Sequence, residues 1–183
     1  MGADKLLLPL AGKPLIRHAV EAAVKSRAAP VVVVIGHAAV QIAAALGRLD
    51  VCFAENTEFY EGLSSSIVCG LKAMPMECHG AAIVLGDMPF VTPHAIDALL
   101  AEFDPAQGRR ICIPTFQGRR GNPVVWAREL FPELLALKGD TGAKRLIGAH
   151  AELVCEVEAA DNGVLLDIDT PEDLAAFGSN MRL

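Results

Sequence analysis

Three short segments, far apart in the chain, carry charge where the surrounding sequence is apolar: Lys5 in MGADKLLLPL, Asp87 in AIVLGDMPF and Asp169 in VLLDIDTPED. A carboxylate at the tip of an apolar strand is costly to desolvate unless it is paired or binds a cation. Asp87, two residues before Pro89, therefore reads equally well as a ligand of Mg2+ or as part of a turn into a helix capped by Thr92. Asp169 stands just before Thr170-Pro171, a helix start signal, so N-capping accounts for it and leaves Asp167, on the same strand face, over. Two carboxylates brought together from distant strand ends would suit a hard divalent cation that also holds phosphates. Lys5 raises another question. Parallel α/β nucleotide sites place a phosphate-facing loop after an apolar strand, and here such a loop has no strand in front of it.

Weaker signals lie elsewhere. In EGLSSSIVCGLKA, Gly62 precedes three serines, Ser64 to Ser66, at a helix start. Free N–H groups with hydroxyls beside them hold a phosphate or read the edge of a base, and the same serines are ordinary N-cap chemistry. In FQGRRGNPVVW, Arg119 and Arg120 read as a fork for an anionic substrate or as solvated surface arginines, on a functional loop or hairpin excursion. GDTGAKRL reads as a helix start with Asp140 or Thr141 as cap and Lys144 in the first turn. His18, His79, His94 and His150 have no partner spacing and receive no role.

These residues need a scaffold, and its outline is an alternation. PVVVVIGHAA and GAAIVLGDMP are continuous apolar runs of the kind found in parallel strands buried on both faces; DVCFAE, RRICIPTF and AELVCEVE add shorter strands. Between them KPLIRHAVEAAVKS, AAVQIAAALGR, LSSSIVCGLKAM, TPHAIDALLAEF and ARELFPELLAL space apolar residues as amphipathic helices do. The expected fold is α/β, a Rossmann-like three-layer α/β/α arrangement on a mostly parallel sheet, with ligands beyond the carboxyl ends of the strands. Residues 1–183 read as one domain, and 52% apolar composition suffices for a large core.

Composition also excludes. Sixteen Lys+Arg against twenty-two Asp+Glu gives a net charge of −6 with no basic run, so no nucleic-acid partner is expected. No apolar run reaches the roughly 18 residues that span a membrane, and no signal peptide precedes Met1. The five cysteines form no CxxC pair and read as buried, reduced thiols, so the expected compartment is the cytoplasm.

Taken in order, MGADKLLLPLAGKPLI, VVVVIGH, EGLSSSI, LGDMP, RRGNPV, GDTGAK and LLDIDTPED resemble the molybdenum cofactor cytidylyltransferase family of the MobA-like nucleotidyltransferase superfamily. The resemblance runs over nearly the whole chain. It implies transfer of CMP from Mg-CTP to molybdopterin carrying molybdenum, with release of pyrophosphate, and with a molybdenum hydroxylase or its chaperone as recipient. It also implies the roles of individual residues. Lys5 would neutralise phosphate charge and Asp87 would hold Mg2+, with Asp169 opposite. Gly62 and Ser66 would contact the pyrimidine. Arg120, Gly121, Asn122 and Pro123 match the segment near the acceptor pterin, where the family often has histidine at the position of Asn122. Members of the family begin with an apolar strand and a glycine-rich signature of the type LAAGxSxRMG. This sequence starts at the MG of that signature, so the expectation is that the first, central strand is missing from it. Rival readings are a guanylyltransferase of the same fold using GTP, an NAD(P)H-dependent oxidoreductase, against which stands the lack of GxGxxG after a strand, and a noncatalytic pterin-binding accessory protein.

Overall fold

Apolar residues recurring at helical spacing put one face of each helix against a central sheet, and the turns between them carry the polar residues of interest. The computed structural model describes residues 3–140, 143–170 and 173–174. A 3-10 turn over Ala3–Leu7 leads to β1 (Pro9–Leu10), β2 (Lys13–Pro14), α1 (Leu15–Lys25), β3 (Val32–Ile35), α2 (Ala39–Leu46) and β4 (Cys52–Glu55). There follow α3 (Leu63–Ala73), β5 (Gly80–Ile83), α4 (Pro93–Glu102), β6 (Ile111–Phe116), β7 (Arg119–Arg120), β8 (Val124–Ala127), α5 (Phe131–Leu135), α6 (Lys144–Ala149) and β9 (Val154–Glu158).

The middle layer is divided into two blocks. In one, β3 and β4 pair in parallel, Val32 opposite Cys52 through Ile35 opposite Glu55. In the other the order is β5-β8-β6-β7, with β9 also paired to β6. The sheet is mixed: β9 runs parallel to β6, as β3 does to β4, and β8 is antiparallel to both β5 and β6. Three of the four residues of β8, Val124, Val125 and Trp126, belong to the stretch read above as a loop or hairpin excursion, and Ala127 opens the segment read as the next helix. They form a strand because all four are buried, with Trp126 at 1% exposure. The excursion itself is a hairpin, β6 to β7, whose turn residues Gln117 and Gly118 both have positive φ, at 51° and 74°. Positive φ at both central positions is what a tight turn between right-twisted strands requires.

Helices cover both faces. Ile16 and Val20 of α1 pack with Ile42 and Leu46 of α2 on Val33, while Leu99 of α4 packs on Cys112 and Val125. On the opposite face Ile67 and Leu71 of α3, Leu134 of α5 and Ile147 of α6 meet Ile111, Ile113 and Trp126. The three layers are those expected. The two apolar runs differ from expectation in burial: of Val32–Ile35 only Val33 is fully buried, and all four residues of β5 are only partly so. Among the described residues each of these strands pairs along one edge alone, and both border an apolar slot of about 550 Å³.

The thiols also depart from expectation. All five cysteines are free, but only Cys112 is buried, where desolvation, with Cys155 beside it, pushes its thiol up to about 12; Cys52, on an outer strand, is exposed. Among the described residues no helix is long and apolar enough to cross a membrane.

Candidate active site

Asp87 reaches its position by a sequence of turns. After β5, Met88 N–H donates to Leu85 O and Val91 N–H to Met88 O. Thr92 then caps α4 through its own hydroxyl, which accepts from Ala95 N–H, with Pro93 in the first turn. The cap is therefore complete without Asp87, whose carboxylate is turned elsewhere. Asp87 Oδ2 accepts from Lys5 Nζ at 3.0 Å, and its Oδ1 is buried with no hydrogen-bond partner among the described residues.

Asp169 is delivered by a strap that crosses the same corner. Ile168 N–H donates to Asp87 O at 3.0 Å, and the buried Ile168 side chain packs with Leu10 and Leu15. Asp169 was expected to serve as a cap. The structure gives that task to Thr170, whose N–H and Oγ1 both bond Asp173 Oδ2 while Asp173 N–H returns to Thr170 Oγ1. This reciprocal exchange resembles a capping box and frees the Asp169 carboxylate. It accepts from Lys5 Nζ at 2.8 Å.

Lys5 thus bridges two carboxylates separated from it by 82 and 164 residues. Burial opposes its charge, but the hydrogen bonds to Asp169 and Asp87, and their charges, outweigh that and hold the ammonium above its ordinary pKa. The corner carries two negative charges on one positive, with one carboxylate oxygen unanswered. Buried polar atoms without partners are uncommon and costly, and an unanswered carboxylate oxygen is an atom that could accept from a further donor or bind a cation. No group of three or more His, Cys, Asp or Glu ligands occurs among the described residues, so water or phosphate oxygens would complete the shell of any such ion.

The serine segment forms a second corner. Gly62, at φ +96°, precedes α3, and a Cβ there would run into the Asp140 carboxylate. The N–H groups expected to be free are not: Leu63 N–H donates to Asp140 Oδ1 at 3.3 Å, Ser64 N–H to Gly139 O and Ser65 N–H to Gly62 O. A carboxylate suits this end of a helix dipole, which is why Asp140 closes α3 and does not cap α6 as expected. The other candidate cap, Thr141, lies outside the described residues. The amide of Asn56, 5% exposed, donates to Ser65 Oγ at 2.9 Å and Ser66 Oγ at 3.2 Å. Ser64 Oγ is buried and has no partner among the described residues. Sequence reasoning marked Asn56 only as a position just after a strand and Asp140 only as a possible cap of the following helix, and gave neither a role at this corner. The available signal was their position, Asn56 directly after a strand and Asp140 in a glycine-flanked turn.

The third group is dispersed. Neighbours on a strand point to opposite faces, so Arg119 and Arg120 on β7 form no fork. Arg120 Nε instead donates to Glu156 Oε1 at 2.7 Å in an exposed pair. Gly121 lies where a Cβ would strike Val164 O, and Asn122 N–H donates to the same carbonyl at 2.9 Å. With the buried Pro123 these residues brace the segment that leads to Asp169. His150 does have a partner, Glu133 at 2.9 Å, in a pair far from these corners in the chain.

The chain as a whole is similar to known proteins. The purine catabolism protein PucB of Bacillus subtilis is 33% identical over 190 residues, covering 94% of this chain and 87% of PucB. A nucleotidyl transferase from Methanothermobacter thermautotroptrophicus superposes with a TM-score of 0.83 at 25% identity, covering 96% of this chain and 84% of that one. The Rv0371C protein of Mycobacterium tuberculosis, solved in complex with manganese, superposes at 0.80 with 25% identity, covering 97% and 93%. Residues 1–154 match the model of the MobA-like NTP transferase domain, so with Asp87 and the serine corner inside that span the chain belongs to the MobA-like nucleotidyltransferase family.

Proposed function

We propose that this nucleotidyltransferase moves CMP from Mg-CTP to the terminal phosphate of a molybdopterin cofactor, releasing pyrophosphate. The observation that carries the reading is the Lys5 ammonium held between Asp87 and Asp169, with Asp87 Oδ1 buried and unpartnered. An oxygen of the acceptor phosphate forms a bond to the α-phosphorus of CTP. The bond from that phosphorus to the bridging oxygen breaks, and pyrophosphate carries away the electron pair. Such a transfer needs positioning and charge neutralisation more than covalent help from the protein.

Asp87 and Asp169 would hold Mg2+, which when bound neutralises the triphosphate and polarises the α-phosphorus. The manganese in the relative from Mycobacterium tuberculosis supports a divalent ion on this fold. Lys5 is displaced from the carboxylates and binds phosphate oxygens, where its charge counts most as pyrophosphate departs. Gly62 and Ser66 contact the cytosine, with Asn56 fixing the hydroxyl of Ser66 and Ser64 Oγ offering a free polar atom. The loop at Gly139-Asp140 covers this end of α3, so the base enters beside it or displaces it. Arg120, Gly121, Asn122 and Pro123 border the acceptor, through the segment that carries Asp169.

Pyrophosphate release with molybdopterin, Mg2+ and CTP, GTP or ATP in turn tests the reading. CTP should turn over fastest and raise the unfolding temperature most, since preferential binding to the native state stabilises it. Faster turnover of GTP would assign the guanylyl reaction. A shift with NADPH and none with nucleotide triphosphates would remove the transferase reading of this site.

A further inference from the structure

Two of the five cysteines face each other across neighbouring strands. In the parallel pairing of β6 with β9, Cys112 stands directly opposite Cys155. Both side chains belong to one cluster on the α4 face of the sheet, where Cys112 packs with Leu99 and Val125 and Cys155 lies against them. Neighbouring strands run about 4.8 Å apart, inside the span of roughly 4.4–6.8 Å between Cα atoms that a disulfide bridges. Of the remaining thiols, Cys52 stands opposite Val32, and Cys69 and Cys78 lie on α3 and between α3 and β5. The pair is asymmetric. Cys112 is fully buried, whereas Cys155 is half-buried on β9, which pairs only with β6 among the described residues.

We propose that Cys112 and Cys155 form a reversible disulfide when the protein meets a hydroperoxide, a modification that fastens β9 to the sheet. The more accessible Cys155 reacts first: its thiolate sulfur bonds to a peroxide oxygen, the O–O bond breaks, and water and a sulfenic acid result. The Cys112 sulfur then bonds to that of Cys155, the S–O bond breaks, and the Cys112 proton leaves with the hydroxyl as a second water. Two thiols are oxidised and one hydroperoxide is reduced. A dithiol restores them by attack on the half-buried sulfur. The modification is independent of the transferase reading, but it has a bearing on that site. β9 ends at Glu158, which accepts from Thr115 Oγ1 and Gln117 N–H, and the chain runs on from there to the strap that carries Asp169.

Hydrogen peroxide in excess on the 183-residue chain, followed by alkylation of the remaining thiols in denaturant and peptide mapping, tests this. The expected product is a linked pair of peptides containing Cys112 and Cys155, lighter by two hydrogens than its parts and separated again by dithiothreitol. The oxidised protein should unfold about 5 °C higher than the reduced one, because the bridge restricts the unfolded chain. Cys155→Ser should lose the rise, and Cys112→Ser should hold Cys155 as a sulfenic acid that dimedone traps. A thermal melt of each variant checks its fold, and mapping of the parent chain decides the matter if a variant is unfolded. The proposal is overturned if peroxide leaves both thiols free, links either one to a different cysteine, or carries Cys155 to the sulfinic acid with Cys112 unmodified. It is also overturned if dithiothreitol fails to reverse the link, if the linked protein unfolds no higher than the reduced one, or if dimedone does not trap Cys155 in folded Cys112→Ser.

Discussion

Glu21 and Lys5 each stand at the centre of a charged cluster, and the two clusters are built in opposite ways. Around Glu21 three cations serve one carboxylate: Lys13 at 2.8 Å, Arg17 at 2.8 Å and Lys25 at 3.8 Å. All come from α1 or the two residues before it, so the cluster is a local product of helical spacing. The hydrogen bonds from Lys13 and Arg17 hold the Glu21 carboxyl at about 2. Around Lys5 one cation serves two carboxylates, drawn from opposite regions of the chain, and Asp87 Oδ1 has no partner among the described residues. A local cluster with surplus donors is closed to further ligands. One assembled over long range keeps an acceptor to spare, as the proposed cation site requires.

That contrast can be broken most sharply by charge removal. Asp87→Asn should cut nucleotidyl transfer by about 100-fold or more, with unfolding temperature nearly unchanged. Glu21→Gln should leave transfer within about twofold, because it touches only α1 and its flank. Loss of transfer in Glu21→Gln comparable to that in Asp87→Asn, at intact fold, would erase the distinction. Steady-state pyrophosphate release and a thermal melt of each variant suffice.

Next in size is Lys5→Met. It leaves two carboxylates facing each other, so the variant should melt lower than the parent in metal-free buffer. Added Mg2+ should then raise its melting temperature more than the parent's, since the ammonium no longer competes for the carboxylates. Equal metal shifts in the two proteins would mean that Lys5 and the ion do not share a place.

Stability against pH separates the clusters further. The Glu21 pKa is depressed from 4.5 to about 2, so its contribution is present above pH 4.5 and disappears as pH falls through about 2. Denaturant unfolding should show Glu21→Gln about 2 kcal/mol less stable than the parent at pH 7, and the gap should close by pH 2. The Lys5 pKa is raised above 10.5, so its contribution is constant below that value and is lost only as pH climbs past it. A Lys5 contribution that changes between pH 6 and 8 would contradict this.

The smallest expected effect is at the serine corner. Asn56→Ala removes the amide that holds Ser65 and Ser66, and should raise KM for the nucleotide by about tenfold while kcat changes little. A fall confined to kcat would move Asn56 into the chemical step.

The layers were legible in the sequence because long amphipathic helices and β-branched runs report their own burial. Lys5, Asp87 and Asp169 stood out for the opposite reason, as charges in apolar surroundings. What local pattern could not convey was competition between neighbours. Thr170 and Asp169 were both good caps, and only the placement of Asp173 decides for Thr170. Asp140 was a plausible cap for its own helix until the N-terminus of α3 came within reach. Val124–Ala127 is too short to announce a strand, and its direction is set by β5 and β6 on either side. Asn56 stood at a strand end, where ligands are expected, but its task was not legible because its partners lie nine and ten residues ahead.

The span of 164 residues between Lys5 and Asp169 also bears on synthesis. A chain emerging from the ribosome exposes Lys5 early and Asp87 midway, but the strap with Ile168 and Asp169 emerges long afterwards. Until it crosses the corner, Asp87 O lacks the Ile168 N–H and Lys5 has one carboxylate instead of two. Closing so long a loop is entropically more costly than closing a short one, though the cost grows only with the logarithm of its length. A ribosome-bound intermediate stopped before residue 168 would therefore have most of its sheet and helices but only half of the acidic corner, so that translation itself sets the earliest moment at which the site is complete.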